Sequence, residues 1–129
     1  MSKQREIKFR AWGDYGPGHT LMLYDRGDLS EFFDAAQGCP IMQYTGLRDK
    51  NGKEIYEGDI VRNEYEKNVA VIKFGEGYQG EPADGMYPYW GWYTDGWYER
   101  YAFDGDDIVV IGNIYENPEL IPSDTSLPD

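Results

Sequence analysis

The stretch YTGLRDKNGKEIYEGDIVR, residues 44–62, constrains this chain most, because it carries two reversal signals within nineteen residues. Asn51 and Gly52 are the residue pair that accepts positive φ at both central positions of a type I′ turn, so a tight hairpin is expected there. Glu57 to Asp59 carries a second turn and launches Ile60 and Val61 into a further strand. Before the first turn, PIMQYTGL reads as an apolar strand in which Gly46 marks a bulge or bend, and after the second, VAVIKF supplies the next strand. Turns this close together imply a small meander or barrel that folds back on itself every few residues.

The flanking segments agree with that. EIKFRAW alternates Ile7, Phe9 and Ala11 against Lys8, Arg10 and Trp12, the pattern of a half-buried strand with its charges on the wet face. GDYGPGHTLMLYD reads as a Gly-Pro-Gly turn followed by a short strand at Thr20 to Tyr24. GDLSEFFDAAQGCP has Asp28 as N-cap, Glu31 as its capping-box partner, Leu29, Phe32, Phe33 and Ala36 at helical spacing, and Gly38 and Pro40 as stop signals. It is the one helix that the sequence signals. The 12 Tyr, 4 Trp and 16 Gly favour pleated surfaces and turns over long helices, so the expected class is mainly β with one short helix.

Three blocks, IKFRAW near the start, MQYTGLRDKNGKEIYEGDIVR in the middle and VVIGNIYENPEL near the end, resemble in order and spacing the signature blocks of the YopX-like family of phage and prophage proteins. The resemblance implies one YopX-like β domain over residues 1–120 with SH3-like barrel character, set in the cytoplasm of a host bacterium, and it implies no established activity. In this scheme the N-terminal strand and helix occupy 5–38, the barrel core 40–112, and an aromatic, acidic insertion 75–107, with a polar, flexible tail over 121–129. The chain departs from the family pattern between Phe74 and Asp107, so a role specific to this member is expected there.

Residue types argue against catalysis. His19 is the only histidine and lies in the Gly-Pro-Gly turn, and Cys39 is the only cysteine, so neither a disulfide nor a thiolate metal site within the chain can form. No phosphate-binding glycine loop or dinucleotide fingerprint is present, and no enzyme activity or cofactor is expected. Asp104 to Asp107, DGDD, groups three oxygen ligands but lacks the spacing and closing glutamate of a calcium loop, so no metal site is expected. No apolar run is long enough to span a membrane and the first residues show no signal peptide, which sets the expected location as cytoplasmic.

Charge and aromatic residues point to binding. Residues 75–129 hold twelve acidic side chains against Arg100 alone, nearly all of the net charge of −12. In GYQGEPADGMYPYWGWYTDGWYERYAFDGDD, an extended strand places Tyr87, Tyr89 and Tyr93 on one face and Met86, Trp90 and Trp92 on the other. TDG reads as a hairpin tip at Asp95 and Gly96, with a return strand carrying Trp97, Tyr98, Tyr101 and Phe103. These rings either pair across the hairpin to cover the barrel or stay exposed as anchors. The expected partner-binding set is Trp90, Trp92, Trp97 and Tyr98 as anchors, with Asp95, Glu99, Asp104 and Asp106 as an acidic rim. Stacking on single-stranded nucleic acid requires a basic groove, so the charge disfavours nucleic acid and favours a host protein with a basic surface, bound as an inhibitor. The alternatives are a structural or homo-oligomeric phage component with the hairpin at a subunit interface, an SH3-like nucleic-acid module, or acidity that only keeps the chain soluble.

Overall fold

The computed structural model describes residues 7–65, 67–81, 85–95 and 107–122, and over 76–81 and 85–89 it describes the backbone alone. The described residues form strands β1 (Phe9–Asp14), β2 (Thr20–Tyr24), β3 (Ile41–Arg48), β4 (Glu54–Tyr56), β5 (Asp59–Asn63), β6 (Val69–Glu81), β7 (Gly85–Asp95) and β8 (Ile108–Asn113), with helix α1 (Leu29–Ala35) between β2 and β3. Two antiparallel sheets result, ordered β2-β1-β3-β4 and β7-β6-β5-β8. The protein is mainly β, and its sheets curve into a half-barrel. The chain crosses between sheets at the Glu57–Gly58 turn, where Gly58 holds a φ of 85°.

Ile55 from the first sheet meets Val61, Ala70, Ile72 and Ile108 from the second in one apolar core. A second cluster of Ala11, Phe32 and Ala36 seats α1 on the first sheet. That helix starts where the Asp28 carboxylate accepts the Glu31 backbone N–H at 3.1 Å, and a left-handed Gly38 follows its end. Gly46 also takes a positive φ of 87°, and the β3–β4 register shifts between Tyr44 and Arg48, so the bulge expected there is present.

The hairpin before β4 differs from the type I′ expectation. Gly52 has a φ of 85°, but Asn51 is not among the described residues with positive φ. The Gly52 N–H donates to the Asp49 carbonyl at 2.9 Å, and the Asp49 N–H donates to the Lys53 carbonyl at 2.8 Å. One left-handed glycine closes the loop where two left-handed residues were expected, because the Asp49 carboxylate organises it by accepting the N–H groups of Asn51 and Lys53, both at 2.9 Å. A Cβ on Gly52 would meet nothing within 4 Å, so substitution costs only backbone strain. Gly52→Val is expected to destabilise by about 1 kcal/mol or more, seen as a lower urea midpoint; an unmoved midpoint would show that the strain is relieved locally.

The alternation in EIKFRAW misplaces Arg10, whose side chain is 3% exposed. Its Nη2 donates to Asp59 Oδ1 at 2.8 Å and to the Glu57 carbonyl at 3.1 Å, and the guanidinium lies 4.8 Å from the Tyr56 ring centroid. The face opposite Phe9 and Ala11 is therefore covered by the β4–β5 corner, and Arg10 ties one sheet to the start of the other. Asp49 makes a second tie, its Oδ2 accepting the Val110 N–H of β8 at 2.9 Å.

The aromatic strand pairs on one side with the segment before it. β7 runs antiparallel to β6 in continuous register from Val71 opposite Asp95 to Glu81 opposite Gly85. The expected return strand with Trp97, Tyr98, Tyr101 and Phe103 lies outside the described residues, as does the tail beyond residue 122.

Candidate functional site

The β6–β7 ribbon is pleated, so Phe74, Trp90 and Trp92 share one face, and Val71, Lys73 and Tyr93 share the other. On the first face Phe74 lies directly opposite Trp92, with ring centroids 4.9 Å apart and planes at 69°. Phe74 also meets Trp90 edge-on at 6.1 Å and 83°. Exposure rises outward along this row. Trp92 is half-buried against the apolar core, Phe74 is 48% exposed and Trp90 is 72% exposed. Each exposed ring keeps an edge packed against a neighbouring ring while presenting apolar area to solvent.

Of the expected anchors, the structure places Trp90 at the surface and roots Trp92 in the core. Asp95, expected at an acidic rim, pairs with the Lys73 ammonium at 2.7 Å on the opposite face, and both side chains are largely covered. Trp97, Tyr98, Glu99, Asp104 and Asp106 lie outside the described residues. The sequence reading missed Phe74. Its signal was the end of VAVIKF, where alternation carries the inward row of Ala70 and Ile72 one step past the core.

On the other face, a crevice of about 360 Å³ opens between the sheets. Met42 of β3, Val71 and Tyr93 of the ribbon, and Ile114 and Tyr115 after β8 form its walls, with Glu57 among them. The Tyr115 ring stacks on Trp12 at 6.2 Å and 18°. Burial raises the Glu57 carboxyl above its ordinary 4.5, opposed by the Gln43 N–H and the Arg10 charge. The folded chain therefore binds this proton more tightly than the unfolded one, and the group's contribution to stability falls as pH rises through its raised value. Glu57→Gln should accordingly gain stability over the parent near neutral pH and lose that gain toward pH 4.5, the ordinary value. A stability difference that stays constant with pH would contradict this.

Among the described residues no group of three or more His, Cys, Asp or Glu side chains could hold a metal ion. No helix among them is long and apolar enough to cross a membrane. His19 is exposed in the turn before β2, and Cys39 packs its Sγ where a Cβ on Gly13 would lie, so that glycine is required for close approach.

A family model described as YopX protein matches residues 18–122. No curated protein matches the chain. Among solved structures, the chain is similar to the crystal structure of protein EF1440 from Enterococcus faecalis, with 25% identity and a TM-score of 0.53. The alignment covers 92% of this chain and 99% of that one.

Proposed function

The chain belongs to the YopX protein family, and on that premise we propose that it is a phage- or prophage-encoded binding protein whose aromatic ribbon engages a host protein with a basic surface. The observation that carries this reading is Trp90, 72% exposed and braced edge-on by a half-exposed Phe74. Large rings held open to solvent are the usual centres of protein interfaces, where Trp contributes more than its share of binding energy. The acidic character of residues 75–129 supports a basic partner, because opposite fields steer encounter and like charge repels nucleic acid. The reading involves no catalysis, places the protein in the host cytoplasm, and takes inhibition of a host or anti-phage defence factor as its outcome.

The test is capture from host bacterial extract with the parent protein, Trp90→Ala and Phe74→Ala, each checked for native circular dichroism. A stoichiometric basic partner should be retained by the parent and lost on washing from Trp90→Ala. Equal retention by all three proteins would remove the ribbon from the interface. A second reading, a homo-oligomer joined through the same rings, is favoured by the ribbon's position at one edge of its sheet in the described residues. Light scattering separates the two, since an oligomer broken by Trp90→Ala would assign the rings to self-association.

A further inference from the structure

We propose that the crevice between the two sheets receives one basic side chain, lysine or arginine, from the protein partner, with Glu57 as its counter-ion and Tyr93 and Tyr115 as flanking rings. The proposal rests on the reading that the chain binds a basic protein, and it names a second contact beside the exposed rings Trp90 and Phe74. Shape comes first. A crevice of about 360 Å³ admits a long side chain, and Met42, Val71 and Ile114 offer apolar walls for its aliphatic stem.

Charge then selects a cation. The other charged groups around the crevice are already matched, Lys73 with Asp95 at 2.7 Å and the neighbouring Arg10 with Asp59 at 2.8 Å. Glu57 Oε1 accepts a long hydrogen bond of 3.4 Å from the Gln43 N–H, and no cation among the described residues forms an ion pair with it. A half-buried carboxylate whose neighbouring cation, Arg10, is committed to Asp59 is a cost in the free protein, and an incoming ammonium or guanidinium relieves it. Burial raises the Tyr115 phenol and the Glu57 charge adds to the rise, which sets carboxylate and ring within electrostatic reach of one another. A cation seated between them gains both an ion pair and a ring face. Strand β6 lends both Lys73 and Phe74 to the crevice lining, and the Phe74 ring also meets Trp90 and Trp92, so a partner that grips this strand can reach both sites.

The test titrates isotope-labelled protein with N-acetyl-lysine amide and N-acetyl-arginine amide, and with N-acetyl-norleucine amide as the uncharged comparison. Either charged amide should shift the backbone resonances of Gly58, Val71, Tyr93 and Ile114 and saturate in the millimolar range. Glu57→Gln should weaken the binding about tenfold, and Trp90→Ala should leave it unchanged. Equal binding of the norleucine amide, no shift with either charged amide, or undiminished binding by Glu57→Gln would overturn the proposal. The comparison of charged with uncharged amide uses the unaltered protein, so it decides the matter even where a variant folds poorly. Capture of a partner through Trp90 with no amide binding defeats the crevice alone. Amide binding without any basic partner leaves the crevice standing and defeats the reading of the ribbon.

Discussion

Arg10→Met is expected to destabilise the protein by about 3–5 kcal/mol, the largest effect of any single substitution proposed for this chain. Arg10 and Asp59 are 3% and 2% exposed, and their pair joins β1 of one sheet to β5 of the other. Removing the guanidinium leaves Asp59 buried and charged, still holding the Tyr56 N–H at 2.8 Å. Burial already raises the Asp59 carboxyl above its ordinary 3.8, and Arg10 is the foremost influence opposing that rise. Without it the folded-state value climbs further. The folded variant then binds this proton more tightly than the unfolded chain, so its stability falls as pH rises above 3.8, the ordinary value. The loss should thus be smallest near that pH and grow toward neutrality. Combining Arg10→Met with Asp59→Asn should recover part of it, with a coupling of about 1–3 kcal/mol by double-mutant cycle. A neutral Arg10→Met, or strict additivity in the cycle, would mean that the Arg10–Asp59 pair does not hold the sheets together.

Asp49→Ala should cost about 3 kcal/mol, because one buried carboxylate accepts the N–H groups of Asn51, Lys53 and Val110. Two of those bonds shape the hairpin and the third ties it to β8, so the variant should lose hydrogen-exchange protection in both places. Asp49→Asn keeps an acceptor oxygen and should lose less. Urea unfolding measures the difference, and equal midpoints for the two variants would show that the carboxylate's bonds are replaced by water.

The segments most legible in the sequence are those in which turn chemistry acts locally. Gly46, Gly52 and Gly58 each take positive φ where a bulge or turn was expected, and Asp28 caps the helix it was assigned to. Alternation failed at Arg10 because it reports which residues share a face and not what covers that face, and the cover comes from residues nearly fifty positions away. The same blindness to distant partners hid the role of Asp49, whose third acceptor bond reaches Val110. In GNIYENP the pattern is local again but is not signalled by periodicity. Asn113 accepts the N–H groups of Tyr115 and Glu116, and Asn117 accepts that of Asn113. Gly112 leaves room for this, since a Cβ there would fall 2.5 Å from Asn117 Oδ1. The three blocks that carry the family resemblance thus supply the turns and the joint between the sheets, whereas Trp90 lies outside them. Alternation correctly placed Tyr93 on the face opposite Trp90 and Trp92 but could not say which end of the row left the core.

The central claim is that the rings hold a partner and the acidic charge brings it in, and the kinetics of one captured partner test both parts. Association and dissociation should be measured across a range of salt for the parent and for Trp90→Ala of verified fold. The expected result is an association rate that falls with salt in both proteins, together with a faster dissociation in Trp90→Ala corresponding to a loss of about 2 kcal/mol. An association rate indifferent to salt, with dissociation unchanged by Trp90→Ala, would contradict the account.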